Sequence, residues 1–266
     1  MRQLFNVFRG RRAEPPSATI PAGERVYAVG DIHGRLDLFR ALLDAIEADD
    51  LARGAADTTI VLLGDLVDRG PESAGVVTLA RELAARRKVR LLAGNHEEML
   101  LLSLKKTSVL RSFLRHGGRE TLLSYGYDRD ALIADDFETV QETMRQLVPA
   151  DDLAFIESFE EQFAIGDYLF VHAGIDPDVA LDAQKRQDLL WIREPFLSHE
   201  APFGKVVVHG HTISEEPEDR GNRIGVDTGA FYSGRLTALA LEGTERRYLV
   251  AQEHSGSVSI EGVTGQ

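Results

Sequence analysis

The sequence predicts a layered α/β fold, in which two β-sheets pack face to face as a sandwich, helices flank them, and a helical excursion interrupts the strand pattern. Three observations point to it. Short β-branched runs alternate with longer stretches of helical periodicity, several early runs finish beside a glycine and a polar residue, and strand-like runs return in the last quarter. Residues 25–29 read as a strand ending at Gly30, and 36–47 as a helix with Leu38, Leu42, Leu43 and Ile46 on one face. A strand at 58–63 ends at Gly64-Asp65, a helix follows at 72–87, and a strand at 89–93 ends at Gly94-Asn95. Helical periodicity then dominates from Glu97 to Gly166, at 99–104, 109–114, 137–147 and 153–163. A strand at 168–171 ends at His172, and further strands at 205–208, 223–226, 236–241 and 246–251 complete a second sheet packed on the first. Polar residues thus collect at strand carboxyl ends, where the crevice of an open sheet places ligands.

A chain of 266 residues with 43% apolar content can bury one sizeable core, so one domain is expected at 25–252, with tails at 1–24 and 253–266. There is no cysteine, which excludes a disulfide framework, a thiolate metal site and a cysteine nucleophile; any metal must be held by nitrogen and oxygen. The net charge of −13 repels polyanions, so nucleic acid is not an expected partner, whereas a phosphorylated protein, a peptide or a small phosphoester is. The first residues mix Arg2, Arg9, Arg11 and Arg12 with Leu4, Phe5, Val7 and Phe8; they are read as a frayed tail without assigned function. No run approaches the ~20 apolar residues of a membrane span, and a cytoplasmic location is expected.

Asp31 and His33 stand two apart in a glycine-bounded turn, so in extended backbone their side chains leave one face and can chelate one ion. Alone, that pair better suits a helix-capping aspartate beside a surface histidine. Asp65 sits at the corresponding end of the next strand, and its two oxygens can bridge two cations. Asn95 offers a carbonyl oxygen and His172 and His211 offer imidazoles, a donor set suited to manganese, iron or zinc. Asp68 and His96 lie just beyond such ligands and suit an acid–base pair, since a histidine held by a carboxylate keeps a proton for a departing alkoxide. Arg69 and Arg193 offer planar guanidinium groups to phosphate oxygens; a salt bridge to Glu194 or another carboxylate is an equal reading for Arg193.

The motifs Gly30-Asp31-Ile32-His33-Gly34, Gly64-Asp65-Leu66-Val67-Asp68-Arg69-Gly70 and Gly94-Asn95-His96-Glu97 closely resemble those of the phosphoprotein phosphatase branch of the calcineurin-like metallophosphoesterases. The resemblance continues through His172-Ala173-Gly174, 190–193, Gly210-His211-Thr212 and 226–230, covers about residues 25–245, and is nearest to the bacterial serine/threonine phosphatases. It implies a β-sandwich flanked by helices with a dimetal site at one edge, manganese being the usual ion. By motif, Asp31, His33 and Asp65 would hold the first metal, and Asp65, Asn95, His172 and His211 the second. His96 with Asp68 would protonate the leaving group, and Arg69 and Arg193 would bind phosphate. Ile213 stands where many superfamily members carry a second histidine, which fits the phosphoprotein phosphatase branch. His209 is read as a packing residue and not as a ligand.

The expected function is therefore a serine/threonine protein phosphatase in which a water activated between two metals attacks phosphorus in line. Symmetrical dinucleoside tetraphosphate hydrolysis, or another nucleotide phosphohydrolase, is the first alternative. Asp68, Glu97 and Thr212 depart from that branch's usual pattern. A non-catalytic phosphate-binding scaffold is the alternative of a different class, and the full complement of matched residues argues against it. The helical excursion and the acidic loop 214–222 are expected to wall the site, the loop as a solvated turn and His116 as a turn residue.

Overall fold

A computed structural model describes residues 17–264. The elements run β1 (Glu24–Val29), α1 (Leu36–Ala52), β2 (Asp57–Leu62), α2 (Ser73–Arg86), β3 (Val89–Leu91), α3 (Asn95–Ser103) and α4 (Thr107–Phe113). The excursion continues through α5 (Arg119–Ser124), α6 (Arg129–Ala134), α7 (Phe137–Leu147) and α8 (Ala150–Glu157). The chain returns to sheet at β4 (Gln162–Ile165) and β5 (Tyr168–Val171), followed by α9 (Arg186–Trp191), β6 (Val206–His209), β7 (Glu218–Asp219) and β8 (Arg223–Gly225). Helix α10 (Ala230–Ser233) precedes β9 (Arg235–Glu242), β10 (Glu245–His254) and β11 (Ser257–Thr264).

One sheet has the order β11-β10-β9-β1-β2-β3 and the other β4-β5-β6-β8-β7. Strands β1, β2 and β3 are mutually parallel, as are β5, β6 and β8, while the flanking strands run antiparallel. Alternation along these strands explains the layers. Val26 and Ala28 of β1 and Tyr168 and Phe170 of β5 pack between the sheets, whereas Tyr27 and Val29 face the helices. On the outer face of the second sheet, Leu169 and Val171 pack with Phe196. The carboxyl ends of both parallel trios meet at one edge of the sandwich, and each delivers one of the polar motifs.

The strands expected at 236–241 and 246–251 in the second sheet instead pair beside β1 in the first, because β9 runs antiparallel along β1 and β10 along β9. Four further expectations are corrected. The helix expected at 153–163 ends at Glu157, because Gln162–Ile165 pairs with Tyr168–Val171 in a hairpin around Gly166, which has a φ of 54°. The expected C-terminal tail 253–266 instead carries the end of β10 and, at Ser257–Thr264, a strand paired with residues 247–254 of β10. Its polar composition hid it, since an edge strand need bury little. The expected N-terminal tail has its first 16 residues outside the described range, but Ile20 is buried and its N–H donates to Gly243. The acidic loop is not simply solvated: Glu216 pairs with Arg235, Glu218 with Arg220 and Arg223, and Asp219 with Arg246. No described helix is long and apolar enough to cross a membrane.

Candidate active site

Eight of the ten expected site residues, namely Asp31, His33, Asp65, Arg69, Asn95, His96, Arg193 and His211, line one cavity of about 190 Å³ at the sandwich edge. The other two stand behind it: fully buried His172 touches Asn95, and fully buried Asp68 holds His96. Arg193 reaches this wall exposed and forms no salt bridge among the described residues, so the Glu194 pairing weighed for it is not observed. His209 lies away from the cavity, its ring edge-on to Phe196 and 3.4 Å from Arg223, as a packing residue would.

Asp65 occupies the centre. Its Oδ2 lies 3.5 Å from His33 Nε2 and its Oδ1 3.5 Å from His172 Nε2. Both rings have their other nitrogen, Nδ1, 2.8 Å from a backbone carbonyl, of Val67 and Leu63 respectively. A carbonyl only accepts, so the proton must sit on Nδ1 and each Nε2 presents a lone pair to a carboxylate oxygen. Burial, the largest influence, lowers both rings, His33 to about 3, so neither becomes charged at neutral pH. Lone pair thus faces lone pair on both sides of one carboxylate, and a cation on each side satisfies both. Ligand atoms of His33, Asp65 and His96, and of Asp65, His172 and His211, fall within 4.8 Å of one another. The residues present therefore fit a dinuclear centre bridged by Asp65.

Asp31 belongs to neither of those two groups and is held differently. Its oxygens accept the backbone N–H of His211 at 3.1 Å, and the Asp227 carboxyl is a charged neighbour. Burial, then Asp227 and Asp65, pushes Asp31 well above the usual carboxylate range; burial likewise raises Asp227 to about 6. Three buried acids in a small volume are a demand for positive charge.

His96 Nδ1 stands 2.6 Å from Asp68 Oδ2, and its Nε2 stands 3.1 Å from Arg69. Burial lowers this imidazole, but Asp65 and Asp68 outweigh it, so His96 lies above its ordinary value, unlike its neighbours. Asp68 is fixed in turn by Thr121, whose hydroxyl donates to Oδ1 at 2.6 Å, and its N–H donates to Ser73 Oγ at 3.0 Å.

The backbone is strained here. Among described non-glycine residues, six have positive φ, and five of them are His33, Asp65, Asp68, Arg69 and His211. Such conformations cost of order 1–3 kcal/mol each and persist only where surroundings enforce them. Glu97 supplies much of that enforcement. Its buried carboxylate accepts the N–H groups of Asp65 at 2.8 Å, Leu66 at 2.7 Å and Gly94 at 2.9 Å, stapling the β2 loop to α3. Gly94 is required for this approach, since a Cβ there would lie 2.1 Å from Asp65 Oδ1. Sequence reading missed the roles of Glu97, Thr121 and Asp227; the position of Glu97 in the Gly94-Asn95-His96-Glu97 motif was the available signal.

A buried, strained, acid-and-imidazole cluster at strand carboxyl ends defines a metal-dependent hydrolase of the metallophosphoesterase class. Residues 24–233 match the calcineurin-like phosphoesterase family, and the chain belongs to it. It is 26% identical over 232 residues to the asymmetrical bis(5'-nucleosyl)-tetraphosphatase PrpE of Anoxybacillus flavithermus, covering 79% of this chain and 88% of that protein. A solved structure provisionally described as a diadenosine tetraphosphatase superposes with a TM-score of 0.59 at 22% identity, covering 94% of this chain and 100% of that one. The cold-active protein-tyrosine phosphatase of a psychrophilic Shewanella species gives 0.55 at 22% identity, over 92% and 83% of the two chains. At such identities the structural likenesses show a shared fold.

Proposed function

We propose that this chain hydrolyses phosphate monoesters with two divalent ions, and that a phosphoserine- or phosphothreonine-bearing protein is the substrate its acid–base pair serves best. Asp31, His33 and Asp65 would hold one ion, and Asp65, Asn95, His172 and His211 the other, with manganese as the first choice and iron or zinc as alternatives. When bound, the ions supply an activated water and neutralise phosphoryl oxygens. Arg69 and Arg193 grip the phosphoryl group from the cavity wall. The observation that carries the reading is the buried His96–Asp68 pair, 2.6 Å apart, with Nε2 facing the cavity. Once Arg69 turns from Nε2 to phosphate, His96 can deliver a proton from Nε2 to a leaving oxygen, a task that an alkoxide requires.

A second reading, cleavage of a dinucleoside tetraphosphate, is supported by the similarity to the PrpE tetraphosphatase, which extends over 79% of the chain. There the leaving group is a phosphate that needs little protonation, and Asp68 would matter less. Comparing kcat/KM for a phosphothreonine peptide and diadenosine tetraphosphate with added manganese, using Asp65→Asn protein to subtract contaminants, separates the two. A large peptide preference upholds the first reading; a large dinucleotide preference replaces it with the second.

A further inference from the structure

A second cavity, of about 900 Å³, adjoins the one described and shares Arg69 and His116 with it. Its wall carries three further guanidinium groups, Arg111, Arg115 and Arg119, against one carboxylate, Glu120. Arg111 stands on α4, Arg115 in the turn that follows and Arg119 at the start of α5, and the three reach one cavity wall. In a chain of net charge −13, where Arg25, Arg35, Arg53, Arg87 and Arg247 are all ion-paired, these three form no salt bridge among the described residues. Unneutralised arginines beside a phosphate site are a concentrated positive field.

The turn is also fastened to the catalytic loop. Arg69 N–H donates to Gly117 carbonyl oxygen at 3.1 Å, and Gly117 has a φ of 113° with no room for a Cβ, which would lie 2.6 Å from Arg69 Cγ. Four residues beyond Gly117, Thr121 holds Asp68, the neighbour of Arg69. The basic wall is therefore set in register with the arginine that meets the reacting phosphate.

We infer that this cavity is a second anion subsite, which seats a phosphoryl group other than the one being cleaved, so that small polyphosphorylated compounds bind better than those with one phosphate. The inference rests on the metal-hydrolase reading of the neighbouring cavity, and on neither substrate proposed for it. Arg69 grips the scissile phosphoryl group, and Arg115 and Arg119 take the next ones along the chain, each through charge-assisted hydrogen bonds.

The test is calorimetric binding of inorganic tripolyphosphate and of orthophosphate to the full chain, with manganese in equal excess throughout so that chelation by the probe cancels. Wild-type protein is compared with the Arg115→Gln/Arg119→Gln double variant and with Lys105→Gln, an exposed control for lost charge. Tripolyphosphate is expected to bind at least about tenfold more tightly than orthophosphate, with the double variant losing that advantage. Orthophosphate affinity and p-nitrophenyl phosphate turnover should stay unchanged in that variant, and Lys105→Gln should match wild type. Equal binding of the two anions, or a double variant that binds tripolyphosphate as wild type does, overturns the subsite. Failure of wild-type protein to turn over p-nitrophenyl phosphate would instead remove the hydrolase reading, and the binding comparison would still decide the subsite.

Discussion

Replacing Asp68 with asparagine should slow the enzyme only where the leaving group needs a proton. The side chain is fully buried, Thr121 holds Oδ1 at 2.6 Å, and Oδ2 meets His96 Nδ1 at 2.6 Å, so Asp68→Asn keeps the shape and removes the charge. A hydrogen bond to a charged group contributes about 1.5–3 kcal/mol and a neutral one about 0.5–1.5, so the difference is about 1–2 kcal/mol, or roughly five- to thirtyfold in rate. His96→Asn removes the acid itself and should cost roughly 10²- to 10⁴-fold. The assay is kcat/KM across aryl phosphates of rising leaving-group pKa, ending with a phosphothreonine peptide, at saturating manganese. Both variants should approach wild type on the best leaving group and fall away as leaving-group pKa rises, with metal content unchanged. A loss of equal size on every substrate would refute the acid–base assignment, because it would mean that the pair only positions the loop.

Three further outcomes follow from particular contacts. Glu97→Gln turns one acceptor of the staple into a donor facing backbone N–H groups, and should cost about 2–4 kcal/mol in urea unfolding while weakening manganese binding; a change within about 0.5 kcal/mol would dismiss the staple. Gly117→Ala forces a Cβ to within 2.6 Å of Arg69 at a φ of 113°, and should raise KM for p-nitrophenyl phosphate severalfold, whereas an unchanged KM would detach the turn from Arg69. Burial pushes Asp49 and Asp50 up, but Arg247 and Tyr27 hydrogen bonds to Asp49, and those of Thr58, Arg25 and Arg87 to Asp50, hold both below the ordinary value. Their stabilisation is therefore complete above the unfolded value of about 3.9 and drains away as pH falls through the lower folded values. Urea midpoints should drop across that acid range, Asp50→Asn should flatten the drop, and an identical acid limb in the variant would exclude Asp50 as a source.

The motifs were legible because each stands where a strand stops. Asp31, Asp65 and His172 follow runs that stay apolar because both strand faces are buried, so the strand ends and the polar residues beyond them could be located together. The second sheet was legible for the same reason at Val206–His209, whereas Arg235–Glu242, though legible as a strand, joins the first sheet beside β1, a pairing that sequence order does not reveal. Strands β7 and β11 were not, since a two-residue edge strand and a polar one carry no apolar period and form only because a partner strand is already in place. Left-handed conformations leave little mark in residue type, since aspartate merely tolerates them and arginine does not favour them; they are held by the Glu97 staple at Asp65, by Ser73 and Thr121 at Asp68, and by the Gly117 carbonyl at Arg69. The arginine wall is spread over α4, the turn after it and α5, so no helical period marks it, and what it adjoins depends on the fastening of Gly117 to Arg69.

The central claim is that Asp65 bridges two metal ions and that hydrolysis depends on them. Manganese titration of chelator-stripped protein, followed by calorimetry and by phosphomonoesterase rate in the same samples, tests it most directly. Two ions per chain, activity rising with occupancy, and the loss of both in Asp65→Asn are the expected result. Full activity in the stripped protein, or an Asp65→Asn variant that keeps both its metal and its rate, would contradict the account.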